Sequence, residues 1–323
     1  MNRKLEQEVL LCLKEKGYVS RIVSTEHIND LKSEIESRYN KRLFNEGFYK
    51  ERLTGFLFQP PDNLANAKSL IVVAAPQPQF KVIFNWNKTL NSLIIPPTYL
   101  YYSNREVQNI LKQILIPNGY NIAQTLLPLK LLAVRSGLGK YGKNNICYVP
   151  KLGSFHRLMA FYSDLPCSED NWQEAKMMEQ CPECSACLRN CPTGAISSDR
   201  FLLHAERCIT FHNERKGDFP QWINPLWHHA LVGCLYCQKV CPENKALLEW
   251  NKIVTEFTED ETALLLRATP FNQLESATVE KLKMIDWTED LDIFARNLNV
   301  LLKKSLMIKN ITGSIKEKQS GIQ

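Results

Sequence analysis

The chain has 323 residues, of which 44% are hydrophobic and 23% charged, an ordinary globular composition. Its length allows two domains and a small third, and its net charge of +6 permits an anionic partner such as RNA without requiring one. No stretch approaches the ~20 apolar residues of a membrane span, so we expect a soluble, cytoplasmic protein without a membrane partner. In that compartment clustered cysteines are metal ligands more often than disulfides.

The first zone, residues 1–170, mixes helical and strand patterns. The N-terminal sequence MNRKLEQEVLLCLKEKG has the apolar spacing of an amphipathic helix, and its apolar run is too short for a signal peptide. The later patterns predict a buried strand at Ser69–Pro76, a helix at Asn104–Leu115 capped by Asn104, and strands at Asn145–Pro150 and Arg157–Ser163. This mixture predicts an α+β or α/β domain.

The second zone, residues 171–250, holds eight of the eleven cysteines and little periodic structure, which indicates a metal-organised domain. One run reads C-x2-C-x2-C-x3-C-P and a second reads C-x2-C-x3-C-P, with Cys208 alone between them. The third zone, residues 251–323, has helical patterns at TEDETALLLR and EDLDIFARNLNVLLKK. We expect a short helical segment there.

Eight thiolates are the number that two [4Fe–4S] clusters require. Three closely spaced cysteines can wrap one face of a cubane, and the fourth, followed by proline, ligates the other cluster. The spacing therefore predicts crossed ligation, with cluster 1 held by Cys181, Cys184, Cys187 and Cys241, and cluster 2 by Cys191, Cys208, Cys234 and Cys237. Two zinc sites are the alternative, although zinc does not need the triplet followed by proline. The remaining three cysteines are predicted to be small buried hydrophobic residues.

Further motifs indicate what the clusters serve. RSGLGKYGKNNICYVPKLGSFHRL, YSDLPC, CPTGAI, ERCITFHNE and GCLYCQKVCPENK resemble segments of the epoxyqueuosine reductase family in the same order. The resemblance covers most of residues 120–250, and FARN (Phe294–Asn297) resembles the start of that family's C-terminal HEAT-like repeat, here truncated. It implies a nitroreductase-like core that binds cobalamin base-off, a ferredoxin-like double-cluster domain, and a fold shared with reductive dehalogenases.

The same resemblance implies a mechanism and a set of cofactor contacts. A low-potential donor such as ferredoxin or flavodoxin would feed the clusters, which reduce cobalt to Co(I) for reduction of the substrate. The implied cobalamin contacts are Arg135, Gly137, Leu138, Gly139, Tyr141, Gly142, Lys143, Asn144, Gly153, Ser154 and Gln238. The glycines among them would let a flat macrocycle approach the backbone closely.

The chain departs from the family at the catalytic acid. The family has an aspartate fourteen residues before the first glycine of its GLG motif, where this chain has Ala123, and no Asp or Glu occurs from Val107 to Ser163. The proton must then come from another group. The candidate donors are Tyr101, Tyr102 and Tyr141, with Tyr99 and His156 as further candidates. Seven Lys or Arg residues in the same segment suit an anion such as the corrinoid phosphate or tRNA.

Three functions follow as hypotheses. The leading one is a cobalamin-dependent iron–sulfur reductase that resembles epoxyqueuosine reductase and acts on tRNA or another substrate. The second is reductive removal of a leaving group from a small organic molecule. The third is a non-catalytic protein that passes electrons to the corrinoid of a partner, which the missing acid favours.

Overall fold

The computed structural model describes residues 2–320, with the surroundings of side chains as far as residue 309. The helices are α1 (Asn2–Glu15), α2 (Ile28–Asn40), α3 (Glu46–Arg52), α4 (Tyr102–Leu115), α5 (Leu129–Arg135), α6 (Ala186–Asn190), α7 (Ile209–Asn213), α8 (Tyr236–Lys239), α9 (Glu259–Leu266), α10 (Ser276–Met284) and α11 (Leu291–Ser320). The strands are β1 (Val19–Ser24), β2 (Ser69–Pro76), β3 (Gln79–Trp86), β4 (Thr89–Ile95), β5 (Ile122–Gln124), β6 (Lys140–Tyr141), β7 (Cys147–Tyr148), β8 (His156–Ser163) and β9 (Asn251–Phe257). None of the helices in this described range is long and apolar enough to cross a membrane.

The chain forms two compact units, each assembled from three stretches of sequence. Unit 1 comprises Met1–Pro78, Leu100–Glu206 and Cys237–Leu248. Unit 2 comprises Gln79–Tyr99, Arg207–Tyr236 and Glu249–Gln323. The mixture of helices and strands confirms the predicted α+β class, while the division into functional zones at residues 1–170, 171–250 and 251–323 stays a prediction.

Unit 1 is built on a four-stranded antiparallel sheet in the order β1-β2-β8-β5. The strand predicted at Ser69–Pro76 is confirmed as β2, and it is buried along almost its whole length because helices cover both faces of the sheet. On one face Val72 packs in a core with Leu31 of α2. On the other face Val9 of α1 and Leu111 of α4 pack together. The sheet therefore supports two separate cores.

The helix predicted at Asn104–Leu115 is confirmed as α4, but the predicted cap is wrong. The helix begins at Tyr102, and Tyr101 occupies the cap position without a side-chain hydrogen bond to the helix. Asn104 lies inside the first turn, where its Oδ1 accepts a hydrogen bond from Nε of Arg157 at 3.2 Å. The asparagine thus joins α4 to β8 instead of capping the helix.

Unit 2 contains a three-stranded sheet in the order β4-β3-β9. The hairpin of β3 and β4 turns at Asn87 and Lys88, whose φ angles are +49° and +57°. β9 pairs in parallel with β3. The expectation of helical structure from residue 251 onward is therefore wrong for Asn251–Phe257 and correct for α9 to α11, of which α9 starts at a capping box between Thr258 and Glu261.

Candidate functional site

The four cysteines predicted to hold cluster 1 lie together in unit 1. Cys181, Cys184, Cys187 and Cys241 line one recess with about 270 Å³ of empty volume. The recess is completed by Gly142, Lys143, Asn144, Tyr148, Met178, Ala186 and Pro242. Among the described residues, no group of three or more His, Cys, Asp or Glu side chains is arranged to hold a single metal ion. The four thiols surround a space, and this donor set fits a cubane cluster.

The electrostatics of the recess follow from its burial. Burial raises the pKa of the Cys181 and Cys187 thiols, and the neighbouring cysteines raise both pKa values further. Four adjacent thiolates in such a place repel one another, so a positively charged iron group is needed to keep them ionised. Metal binding in the recess would therefore require these cysteines to release their protons.

Within unit 1, the side chains of Lys143 and Asn144 bind the backbone of the cysteine-bearing segments. Lys143 Nζ donates hydrogen bonds to the carbonyl oxygens of Pro182 at 3.2 Å and Cys184 at 2.9 Å. Asn144 Nδ2 donates to the carbonyl oxygen of Cys237 at 3.4 Å. Two of the predicted cobalamin contacts therefore line the recess and bind the backbone of Cys184 and Cys237, which are predicted cluster ligands.

Two other predicted cobalamin contacts bind each other. Ser154 Oγ donates to Oε1 of Gln238 at 2.9 Å, and Asn244 Nδ2 donates to Ser154 Oγ and to the carbonyl oxygen of Gln238, both at 2.8 Å. The Ser154 backbone N–H donates to Asn244 Oδ1 at 2.9 Å. Asn244 is fully buried, so it fixes the loop after Gly153 to the segment that carries Cys237 and Cys241.

Contacts within the protein explain why these positions must be glycine. A Cβ atom at Gly139 would lie 2.5 Å from the Tyr148 carbonyl oxygen, and one at Gly142 would lie 2.5 Å from Asn144 Oδ1. Gly153 has a φ of +52°, and a Cβ atom there would lie 2.2 Å from Asn244 Oδ1. Internal packing therefore accounts for all three, and they carry no independent indication of a macrocycle.

Three more of the predicted cobalamin contacts form ion pairs or pack against other residues of unit 1. Arg135 at the end of α5 forms ion pairs with Asp30, Glu34 and Glu174 at 3.5–3.9 Å. Leu138 is buried in the hydrophobic core. Gly137 has a φ of +70° and lies against the side chain of Gln173. All three residues make contacts within unit 1.

The tyrosine donor candidates differ in exposure and acidity. Tyr101 and Tyr102 are each 47% exposed, whereas Tyr141 is buried in the core. Burial raises the pKa of Tyr141, and burial followed by the Glu106 carboxylate raises that of Tyr102. The Arg157 guanidinium lies 3.8 Å from the centre of the Tyr101 ring. Tyr101 therefore combines access with a fixed cation beside the ring.

The other donor candidates have less suitable surroundings. Burial lowers the pKa of His156 to about 4, so the imidazole is neutral at pH 7. Tyr99, in unit 2, donates to the Glu214 carboxylate, and burial followed by that carboxylate raises its pKa. Ala123 is buried in β5 opposite Tyr162. No carboxylic acid stands at the position that the family uses.

The cysteines predicted for cluster 2 are divided between the units. Cys191 and Cys237 belong to unit 1, and Cys208 and Cys234 to unit 2, so their joint ligation stays a prediction from the spacing. Within unit 2, Cys208 precedes α7 at its cap position. Asn297 Nδ2 of α11 donates to the carbonyl oxygens of Asn213 and Leu231, both at 2.9 Å. The FARN segment thus holds the chain after Cys208 and before Cys234.

Sequence reasoning missed three residues at these sites. Tyr148 lines the cluster recess, Asn244 joins two loops, and Arg296 donates to the carbonyl oxygens of His212, Asn213 and Arg215. Asn244 stands in CPENK and Arg296 in FARN, motifs that the resemblance had already singled out. Tyr148 stands in RSGLGKYGKNNICYVPKLGSFHRL, a third such motif, but within it the sequence predicted only a strand at Asn145–Pro150.

Comparison with known proteins identifies the cysteine domain and the fold. A family model described as a 4Fe–4S double cluster binding domain matches residues 180–244, which contain all eight cysteines predicted to be cluster ligands. An epoxyqueuosine reductase of Pseudomonas aeruginosa is 38% identical over 117 residues, 36% of this chain and 31% of that protein. Another, of Yersinia pestis, is 29% identical over 181 residues, 51% of this chain and 41% of that protein. The matches span less than half of either relative.

Solved structures share the fold. Epoxyqueuosine reductase from Streptococcus thermophilus has a TM-score of 0.65 at 20% identity, over 100% of this chain and 87% of that one. An epoxyqueuosine reductase crystallised with an epoxyqueuosine-modified tRNA-Tyr stem loop has a TM-score of 0.64 at 22% identity, over 94% and 82%. The motif resemblance is thereby confirmed, and the match to a double-cluster domain favours iron–sulfur over zinc.

Proposed function

We propose that this relative of the epoxyqueuosine reductases is a cobalamin-dependent iron–sulfur oxidoreductase. One observation carries the proposal: Lys143 and Asn144, which the resemblance assigns to cobalamin, line the same recess as the four cysteines predicted for cluster 1. Electron transfer from an iron–sulfur cluster to a corrinoid requires that the two groups lie close together. The related proteins are named for a reductive reaction, which supports the same reaction class here.

The chain's own residues would share the work as follows. The segment Gly142–Asn144 and the bonded pair Ser154 and Gln238 would hold the cofactor. Cobalamin, when bound, would supply a cobalt centre that acts as a strong reductant and nucleophile. Cys181, Cys184, Cys187 and Cys241 would ligate the nearer cluster, and the other four cysteines the second cluster, fed by a low-potential donor such as ferredoxin or flavodoxin. Tyr101 would supply the proton.

We propose tRNA as the leading substrate class, since a related structure contains an epoxyqueuosine-modified tRNA stem loop. The basic segment from Val107 to Ser163 adds little to this proposal. Arg135 is paired with carboxylates, Lys140 Nζ lies 3.0 Å from Glu179, and Lys143 binds loop carbonyls. Part of the positive charge is therefore used within the protein.

A second function, electron transfer to a partner's corrinoid, is favoured by Ala123. This residue is buried in the sheet at the position where the family has its acid. If no donor replaces the acid, the chain transfers electrons but completes no reduction of a substrate.

Anaerobic titration of the reconstituted two-cluster protein with cob(II)alamin tests the cofactor. We expect a change to the base-off EPR spectrum at one equivalent, and no spectral change at all would refute cobalamin binding. Gln238→Ala is expected to weaken the binding, while Gln180→Ala, an exposed glutamine of the same unit, leaves it unchanged.

Turnover assays then separate the functions. Reduction of epoxyqueuosine-containing tRNA, with no reaction on unmodified tRNA, supports the leading proposal. Loss of halide from a small aromatic halide supports the small-molecule alternative. Reduction of a separate corrinoid protein without turnover of either substrate supports electron transfer.

A further inference from the structure

Tyr148 in β7 lies at the wall of the cluster recess. Its side chain is buried, and it packs with Met178 and Cys181 in a small hydrophobic cluster that Cys241 also contacts. Tyr148 and Cys241 both line the recess. A phenol therefore faces a predicted cluster ligand.

The neighbouring amide determines how this phenol can bond. Asn144 Oδ1 accepts from the backbone N–H of Ile146 at 3.3 Å, which fixes the orientation of the amide. Asn144 Nδ2 faces the carbonyl oxygen of Cys237, which can only accept, and lies 2.9 Å from the Tyr148 hydroxyl oxygen. Because an amide nitrogen only donates, the phenol oxygen accepts this bond. The phenol hydrogen is left to another acceptor.

A buried hydroxyl hydrogen needs an acceptor, and the recess that Tyr148 lines contains the Cys241 sulfur, a predicted ligand of cluster 1. We propose that Tyr148 donates an O–H···S hydrogen bond to Sγ of Cys241 in the cluster-loaded protein and thereby raises the reduction potential of cluster 1. One-electron reduction from [4Fe–4S]²⁺ to [4Fe–4S]⁺, with the electron from the low-potential donor, places more negative charge on the sulfur ligands. A hydrogen bond to sulfur stabilises the reduced form more than the oxidised form.

This inference rests on the part of the proposed function that assigns Cys241 to cluster 1, and not on cobalamin or the substrate. The test is an EPR-monitored redox titration of Tyr148→Phe, with cluster 1 identified as the signal that Cys181→Ala removes. We expect the reduction equilibrium of cluster 1 to become about tenfold less favourable, a negative shift of about 59 mV for one electron. Iron and sulfide contents stay at those of the unmodified protein.

Tyr162→Phe is the matched control. Tyr162 is a buried tyrosine of the same unit whose hydroxyl donates to the Gln59 carbonyl oxygen at 3.1 Å, away from the recess. Removal of the Tyr162 hydroxyl is expected to leave the reduction potential of cluster 1 unchanged. An equal shift in both variants would show a general effect of losing a buried hydroxyl and would overturn the proposal.

A second measurement needs no variant. After exchange into D₂O, electron–nuclear double resonance of the reduced unmodified protein should show an exchangeable deuteron coupled to cluster 1, and the Tyr148→Phe protein should lack it. An unshifted potential, or absence of this deuteron in the unmodified protein, overturns the role of Tyr148 alone. A chain that assembles no cluster at all refutes the cluster assignment as well, whereas failure to bind cobalamin leaves the Tyr148 result standing.

Discussion

We expect Tyr101 to be the proton donor, because a donor must reach the substrate. Its ring is exposed beside the Arg157 guanidinium, whereas Tyr141 is buried. We expect Tyr101→Phe to lower kcat by about 10²- to 10⁴-fold in whichever turnover assay is positive. Cluster content and cobalamin binding should not change.

Tyr120→Phe provides the control for this substitution. Tyr120 donates to Asn2 Oδ1 at 2.9 Å and contacts the core near α1, so its variant should keep full turnover. If Tyr101→Phe is fully active and Tyr102→Phe is not, the donor is Tyr102 and the choice of Tyr101 for its contact with Arg157 is wrong.

His156 gives the fold a predictable acid sensitivity. Burial lowers its folded-state pKa to about 4, below the ordinary value of 6.5. Between pH 6.5 and pH 4 the His156 side chain is therefore protonated in the unfolded chain but neutral in the folded chain. The free energy of unfolding that this residue contributes above pH 6.5 is lost as the pH falls toward 4. The loss from this residue is about 3 kcal/mol.

Denaturant unfolding of His156→Gln and the unmodified protein between pH 7 and pH 4.5 measures this contribution. The variant should show a weaker decline of unfolding free energy, by up to about 1.4 kcal/mol per pH unit for one proton. His228 has a pKa lowered to about 4 by burial as well, so some acid sensitivity should persist. Identical slopes for the two proteins would contradict the assignment to His156.

For individual residues, the sequence predicts the site only where the spacing of neighbouring residues specifies a ligand set. Three closely spaced cysteines specify a cluster ligand set whatever the rest of the chain does, and Cys181, Cys184 and Cys187 do line one recess. Asn244 and Tyr148 lie within recognised motifs, but their contacts are made with segments that meet them only in the folded chain. The glycines were predicted with a macrocycle as the reason, but contacts within unit 1 account for them.

Among the elements, local pattern was sufficient for β2 and α4, whose apolar residues repeat with the period of their structure. The hairpin of β3 and β4 was missed because its turn uses Asn87 and Lys88, and lysine is an unusual residue at positive φ. β9 was missed because its residues are mostly exposed and it exists through pairing with the sequence-distant β3. Pairing between distant strands is not encoded in either strand alone.

The start of α11 is the element on which the Cys208 and Cys234 region depends. Asn297 is buried, and its amide satisfies the Asn213 and Leu231 carbonyl oxygens at 2.9 Å. Asn297→Leu leaves the Leu231 carbonyl oxygen without this partner at a cost of about 1–3 kcal/mol, while Arg296 still donates to the Asn213 carbonyl oxygen. The loss loosens the chain beside two predicted cluster 2 ligands. We expect iron to fall from eight toward four atoms per chain, measured by iron analysis and EPR.

Asn299→Leu is the matched control, since Asn299 lies two residues further along the same helix and is exposed. It should retain the full iron content. Equal iron loss in both variants would mean that α11 itself was disturbed, and full retention in Asn297→Leu would show that the amide does not position these cysteines.

For the molecule as a whole, crossed ligation means that neither cysteine run can complete a cluster alone. The spacing assigns Cys241 to the cluster of the first run and Cys191 to the cluster of the second, and Cys241 does share the recess with the first run. Cys241→Ala should therefore remove the same EPR signal as Cys181→Ala, and Cys191→Ala the same signal as Cys237→Ala. Cys167→Ala, at a cysteine near Ile22 and outside the cluster motifs, should keep both EPR signals.

Loss of the Cys181 signal in Cys191→Ala would instead indicate uncrossed ligation, in which each run folds around its own cluster. Crossing makes assembly of one cluster depend on residues far apart in the chain, so the iron content of these variants reports on the fold as well as on the ligands.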